Sequence, residues 1–402
     1  MKPSRDARTI RGTVVLALVA LAVTQLACDA LGALGADFAV RERVEGDWIR
    51  VYFTNPHQAD IPAPRHGGLD QDLALVIRHA ETSVDVAAYD LRLDSVAQSL
   101  IAAARRGVRV RLVTESDNAH SAALDRLRRA GIALFEDSLD SGRMHHKFLT
   151  VDDQWVWTGS WNPTENGTYH NNNHAVLIAS PALAENYTTE FNEMVAGFFG
   201  SESPANTPNP RVIIAAEAAE GRRRSIEVES YFAPEDAVAD QIIGEIQSAQ
   251  EHIRFLAFVF TSEAIADAMV ERFRSGVAVQ GIIEARNWEQ SGSQADRLRV
   301  ALDDVLTDGN RYSMHHKVII IDDETVVLGS YNFTNSAESY NDENVLIIHD
   351  VEVAALFVEE FRRAYEEAQR QAALGRKAVL TGVARRRWKR PSPLHQHGGG
   401  PS

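Results

Sequence analysis

The chain has 402 residues, 45% hydrophobic and 24% charged, with 13 prolines and one cysteine. That is apolar material enough for two globular domains, which excludes one small domain or a long disordered chain, and a single thiol excludes an intrachain disulfide or a cysteine-rich zinc site. The net charge of −15 hides a split, since residues 1–28 carry +3, residues 369–402 carry +8 and the body between them carries −26, a balance that repels DNA and anionic lipid unless positive charge is gathered at one place.

The first predicted element is a leader over residues 1–28. Lys2, Arg5, Arg8 and Arg11 precede an apolar run from Thr13 to Ala27, which gives the charged and then hydrophobic regions of a secretory signal. The run is short for a membrane-spanning helix. Cys28 follows Leu26-Ala27 directly, so the segment resembles a bacterial lipoprotein signal in which that cysteine is lipidated; Ala27 fits the pattern, whereas Gln25 and Leu26 depart from it. The alternative is an ordinary signal peptide cut near Ala30 to Ala36. Either way the protein is expected to be exported, as an envelope lipoprotein or in secreted form.

The rest of the chain is a duplication. A shift of 170 sets Met144 to Ile178 on Met314 to Ile348 without a gap, with 13 of 35 positions identical, and a shift of 169 sets Val84 to Glu115 on Ile253 to Glu284. Each copy reads as a helix, a buried strand (Val84 to Tyr89; Ile253 to Phe260), an amphipathic helix ending at Gly107 or Gly276, and a second strand (Val108 to Val113; Val277 to Ile283), which is a βαβ unit. Domains are expected at 48–200 and 211–368. Between them SESPANTPNP (201–210), with three prolines among small polar residues, reads as a linker. The basic segment 369–402 reads as a flexible tail.

The second part of each repeat carries the chemistry. Strand-like runs flank Asp152-Asp153-Gln154 in one copy and Asp322-Asp323-Glu324 in the other, so each is expected on a hairpin. Alternation along a strand puts His145 with Lys147, and His315 with Lys317, on one face, while His146 and His316 point away as second-layer or surface residues. Downstream lie Gly159-Ser160-Trp161-Asn162 and Gly329-Ser330-Tyr331-Asn332, where glycine permits close approach and the polar side chains can hold an anion. Imidazole, ammonium, hydroxyl and amide together suit phosphate, supplying one nucleophile and several donors. No cluster at metal-ligand spacing accompanies the motif, so no metal or other cofactor is expected in the chemistry.

With these residues the sequence resembles the phospholipase D superfamily, whose HxKxxxxD motif is present as His145-Lys147-Asp152 and as His315-Lys317-Asp322. The likeness runs over roughly residues 48 to 368. It implies an α/β fold of two duplicated domains, each with a mainly parallel sheet flanked by helices, related by a pseudo-twofold axis with both motifs at one site. It further implies that His145, Lys147, Asn162, His315, Lys317, Asn332 and Glu343 are catalytic, with Asp152, Ser160, Asn173, Asp322 and Ser330 supporting them. One departure is that the first copy has Asn173 where the second has the acidic Glu343. If Glu343 hydrogen-bonds His315, as the family pattern implies, His315 holds a proton and acts as the acid, leaving His145 as the nucleophile.

A lone strand histidine is ordinarily structural, but the same His-Lys spacing occurring twice favours a site. Asp152 and Asp322 more often serve a turn. Arg222 to Arg224 and Arg385 to Arg390 are more often solvated charge runs. The expected activity is phosphodiester hydrolysis through a phosphohistidine. An exported protein with an acidic body favours a phospholipid membrane surface as partner over nucleic acid, with no obligate protein partner. A secreted nuclease, a phosphatidyl transferase and an inactive membrane-tethered binding module remain as alternatives.

Overall fold

The structure is a computed structural model, which describes residues 39–43, 48–56, 67–138, 142–217, 223–302 and 304–387. The leader with Cys28, Arg222 and the end of the basic tail lie outside the described residues.

In the first half, strands β1 (Ala39–Arg43), β2 (Ile49–Thr54), β3 (Ser83–Ala88), β4 (Arg109–Thr114), β5 (Ala133–Glu136), β6 (Lys147–Val151), β7 (Trp155–Gly159) and β8 (His174–Ala179) form one sheet in the order β1-β2-β8-β7-β6-β3-β4-β5. The second half repeats it with β9 (Arg211–Glu217), β10 (Arg223–Ala233), β11 (His252–Ala257), β12 (Ala278–Ile283), β13 (Val305–Thr307), β14 (Lys317–Ile321), β15 (Thr325–Gly329) and β16 (Glu343–His349), in the order β13-β12-β11-β14-β15-β16-β10-β9. The helices are α1 (Leu69–Arg78), α2 (Asp94–Arg105), α3 (Ala122–Arg129), α4 (Glu165–Tyr169), α5 (Pro181–Ala196), α6 (Val238–Ser248), α7 (Glu263–Arg274), α8 (Ala295–Leu302), α9 (Asn335–Ser339) and α10 (Val351–Arg387).

The sheets are mixed, which corrects the expectation of mainly parallel ones. Only β3-β4-β5 and β11-β12-β13, joined through α2 and α3 or α7 and α8, run parallel. The other five pairings in each sheet are antiparallel. The physical reason is connection length, since a parallel neighbour needs a crossover helix, whereas β6 to β7 and β14 to β15 are linked by two-residue-type hairpins that can only reverse the chain. Those turns place Asp152, Asp153, Asp322 and Asp323 at φ 55°, 52°, 51° and 57°, the left-handed pair that a tight hairpin turn demands.

Apolar spacing decides which face each helix buries. On α2, Val96, Ala97, Leu100 and Ala103 turn inward, and on α7, Ile265, Ala266, Met269 and Val270 do so. Gly107 and Gly276, at φ 93° and 101°, follow these helices and turn the chain into β4 and β12. Helices α1 to α3 cover the outer face of the first sheet, and α6 to α8 that of the second. Between the sheets lies a third, shared core, in which Tyr187 and Phe191 of α5 and Phe357 and Phe361 of α10 pack on Val51, Phe53, Phe148, Val228, Phe232 and Val318. Truncating Phe191 or Phe357 to alanine would cost about 3–5 kcal/mol. The two halves therefore share one interior and their facing edges are fixed.

The basic segment expected to be flexible from residue 369 is helical as far as Arg387, because α10 continues without a break. Arg224 likewise is no solvated charge, since it pairs with Asp350 at 2.8 Å and Glu352 at 3.0 Å. Among the described residues no helix is long and apolar enough to cross a membrane.

Candidate active site

The two motifs meet because the backbones around them pair across the seam. Met144 bridges Asp342 and Asn172 bridges Met314, both in parallel sense. The His145 N–H donates to the Asp342 carbonyl at 3.0 Å, and the His315 N–H donates to the Asn172 carbonyl at 2.9 Å. Behind each bridge a buried glutamate accepts the N–H of the methionine before the motif, Glu115 from Met144 at 2.8 Å and Glu284 from Met314 at 2.7 Å. These glutamates close the upstream repeat alignment as an identical pair, which was the one signal that could have singled them out.

Each histidine is oriented by the opposite half. His145 Nδ1 lies 2.7 Å from Glu343 Oε2, and His315 Nδ1 lies 2.9 Å from Asn173 Oδ1 and 3.1 Å from the Ser160 carbonyl. This reverses the expected partner of Glu343. The reason is the seam itself, since β16 begins where its neighbouring backbone pairs with Arg143 and His145, so the side chain of Glu343 reaches the first histidine and not its own half's. With Nδ1 engaged, Nε2 is the ring atom left to do chemistry in both histidines.

Lys147 Nζ donates to the His145 carbonyl at 2.6 Å and Lys317 Nζ to the His315 carbonyl at 2.9 Å, so each lysine is tied to the backbone of the histidine two places before it. An aromatic ring roofs each pair. Tyr89 sits edge-on to His145 at 4.7 Å and 5.0 Å from Lys147 Nζ, and its repeat equivalent Phe258 does the same at 4.5 Å and 4.6 Å.

Burial and the two lysine charges push both His145 and His315 well below the usual imidazole range. Burial likewise lowers Lys147 to about 7 and Lys317 well below its ordinary value, the charge of each lysine acting on both histidines. Glu343 is pushed up to about 7 by burial, against the pull of Lys147. The site thus gathers four basic groups and one carboxylate in a nearly dry place, where an entering anion is strongly favoured and restores the protons that burial disfavours.

Gly159 and Gly329, both at φ 152°, lie so close to the His174 and Asn344 carbonyls that a side chain would strike them. Ser160 then donates to Asn173 at 2.9 Å, and Ser330 hydrogen-bonds Glu343, so each serine holds the residue that orients the opposing histidine. Asn162 and Asn332 each keep a buried amide oxygen without a partner among the described residues, and half-turns of these amides would present donors to a ligand. Asp152 and Asp322 lie at the far ends of their strands. They accept backbone N–H groups of 81–83 and 250–252 and reach no histidine or lysine of the motif. His146 and His316 are wholly buried, with Nε2 on Glu190 and Glu360 at 2.9 Å each, which places them in the layer behind the site and not at the surface.

Two segments of the chain, residues 73–195 and 242–365, match the family described as cardiolipin synthase, PLD-like domain. Among curated proteins, mitochondrial cardiolipin hydrolase of Mus musculus is 35% identical over 127 residues, covering 32% of this chain and 58% of that protein. A phospholipase D of Rickettsia conorii is 34% identical over 132 residues, covering 33% and 66%. The chain therefore spans roughly three-fifths of the length of such relatives. Among solved structures, phosphatidylserine synthase of Haemophilus influenzae Rd KW20 aligns over 83% of this chain and 89% of that chain with a TM-score of 0.58 at 13% identity, a likeness of fold.

Proposed function

The chain belongs to the PLD-like domain family, and we propose that it is a phospholipase D-type phosphodiesterase that hydrolyses phospholipid head-group esters through a phosphohistidine. The observation that carries the enzymatic reading is that two His-Lys pairs meet at one seam, and their unequal support, a carboxylate behind His145 and a neutral amide behind His315, assigns the roles.

Attack by His145 Nε2 forms a P–N bond as the P–O bond to the leaving group breaks, and it makes the ring an imidazolium. The Glu343 carboxylate stabilises that charge as it develops. His315 donates its Nε2 proton to the leaving oxygen, then takes a proton from water as the water attacks phosphorus and the P–N bond breaks. The substrate's own negative charge favours the protonated His315 at the start. Lys147, Lys317, Asn162 and Asn332 bind the phosphoryl oxygens, whose charge grows toward the transition state.

A lipid substrate is supported by the names of the relatives, a phospholipase and a cardiolipin hydrolase, while the acidic body, which repels any anionic polymer or surface, counts most against a nucleic acid, since that brings many phosphates and needs many cations to meet them. The leader sequence supports export as part of this reading, and export together with the acidic body supports a membrane surface as the working partner. The test is turnover of phosphatidylcholine and cardiolipin vesicles beside single- and double-stranded DNA, each with His145→Ala as the blank. Head-group release abolished in the variant supports the reading. DNA cleavage without lipid turnover replaces it with a nuclease, and tight vesicle binding without any turnover replaces it with a binding module.

A further inference from the structure

The helices between the sheets carry equivalent glutamates in surroundings of opposite charge. Glu360 on α10 takes His316 and is neutralised by Arg363, whose guanidinium donates at 2.8 and 2.6 Å. Burial pushes this carboxyl up, yet Arg363 and His316 hold it below its ordinary range. Glu190 on α5, at the repeat shift of 170, takes His146 in the same way, but the place of Arg363 is filled by Glu193.

Glu235, just beyond β10, joins them. Carboxylate oxygens from Glu190, Glu193 and Glu235 lie within 4.8 Å of one another. Asp342 adds a fourth acid, wholly buried, where the other half has the neutral Asn172, and the charges of Glu190 and Glu235 both act on it. Burial, and then their acidic neighbours, push Glu190, Glu235 and Asp342 above the usual carboxylate range. Among the described residues no lysine or arginine pairs with any of the four, whose one ion-pair partner is His146. Asp342 Oδ1 accepts the Gly200 N–H, Asn206 hydrogen-bonds Glu193, and Glu190 and Glu235 are hydrogen-bonded to each other, but among the described residues Asp342 Oδ2, Glu193 Oε1 and Glu235 Oε2 have no partner. A buried carboxylate oxygen left unmet is strongly disfavoured, and here two of them belong to a cluster that stands where the sister half has placed a cation of its own, with the third on Asp342, whose carboxyl feels the charges of Glu190 and Glu235.

We propose that Glu190, Glu193 and Glu235, with Asp342 beside them, form a binding site for one calcium ion, which does for Glu190 what Arg363 does for Glu360. The donors are all hard oxygens with no free nitrogen or sulfur ligand, which disfavours zinc and copper. Carboxylates from separate elements, each able to bind through one or both oxygens, suit the six to eight ligands and loose geometry of calcium better than the strict octahedron of magnesium. The ion would brace the seam, because the main-chain carbonyl of Asp342 accepts the His145 N–H and Asp342 directly precedes Glu343. A second acidic group, Glu229, Glu245 and His349, differs in already holding Arg211 at 3.1 Å from Glu229, and it serves as the control.

The test is calorimetric titration of the chelator-stripped, full-length chain with calcium chloride, together with thermal melting at each calcium level, neither of which depends on the enzymatic reading. The expected result is one ion per chain and a higher melting temperature. Glu235→Gln should weaken binding at least ~10-fold, and Glu229→Gln should leave it unchanged. Glu193→Arg, which copies the sister half, should abolish binding and bring the calcium-free protein to the melting temperature of the loaded wild type. Absence of binding to the wild type overturns the proposal, as does undiminished binding in Glu235→Gln and Glu193→Arg. Should the arginine variant not fold, Glu193→Gln takes its place, with undiminished binding counting against the site in the same way.

Discussion

Glu343 and His145, 198 residues apart, share a 2.7 Å hydrogen bond that crosses from one half of the molecule to the other. Each half's motif histidine is therefore oriented by a residue of the other half. The pairing of Asp342 with Arg143 and His145 sets the distance, so that a shift along the seam would change the chemistry before it changed either core.

Glu343→Gln keeps the shape but removes the charge that balances the imidazolium, and the amide can lock the ring in the wrong tautomer. The expected loss in kcat is about 10²–10⁴-fold. Because burial raises Glu343 to about 7 and only its ionised form supports His145, wild-type activity should fall as pH drops through about 7, and this acid limb should vanish in the glutamine variant. A kcat/KM profile from pH 5 to 9 decides it; the same acid limb in both proteins would remove Glu343 from the proposed role.

The proposed covalent step has a direct test. With an aryl phosphodiester whose leaving group needs no acid, His315→Asn should still form the adduct but hydrolyse it slowly, since the group that activates water is gone. Peptide mapping after a quench that avoids acid should find the phosphoryl group on His145. An adduct on His315 in the wild type would reverse the assignment, and a variant that turns over without any adduct would count against the covalent route.

What was legible in the sequence was what repeats: the two copies, their βαβ units, the hairpins at Asp152 and Asp322, and the pairing of each histidine with the lysine two places on. What was not legible depends on how the copies face each other. Alignment shows that Asn173 and Glu343 are equivalent, but not that each serves the other half's histidine, because that follows from backbone pairing across the seam. The charge contrast between Arg363 and Glu193 was readable in principle at the same shift of 170, yet it has meaning only once both are seen beside buried glutamates. Strand direction is less legible, because the parallel units show as strand–helix–strand periods whereas nothing in the remaining strands' own residues says which neighbour each will pair with or in which sense.

Arg363→Ala should destabilise the fold more than a surface ion pair does. It leaves Glu360 buried beside His316 with its guanidinium partner gone, a change expected to cost about 2–4 kcal/mol given the partial exposure of the arginine. Urea unfolding checks this, and a change under ~0.5 kcal/mol, the ordinary range for surface substitutions, would show that water or His316 alone suffices.

The last prediction separates the aspartate of the repeated motif from its histidine and lysine. Asp152 accepts the N–H groups of Glu81, Thr82 and Ser83 together with the Thr82 hydroxyl, and Asp322 accepts those of Gln250, Glu251 and His252, each tying a hairpin to the start of the strand beside it. Burial raises these carboxyls, but the backbone donors outweigh it and hold both below their ordinary range. A carboxyl lowered in the folded state stabilises the fold above its unfolded pKa, and that contribution is lost as pH falls through the folded value. Asp152→Asn and Asp322→Asn should therefore each cost ~1 kcal/mol near neutrality, with water replacing part of what is lost at these half-exposed turns, and their melting temperatures should converge on the wild type in strong acid. Because the network reaches strand starts and not the phosphoryl site, kcat on folded variant should stay within about 2-fold of the wild type, well short of the ~10²-fold or greater loss from removing an acid–base group. A large fall in kcat with unchanged stability would mean that the third residue of the motif takes part in the chemistry after all.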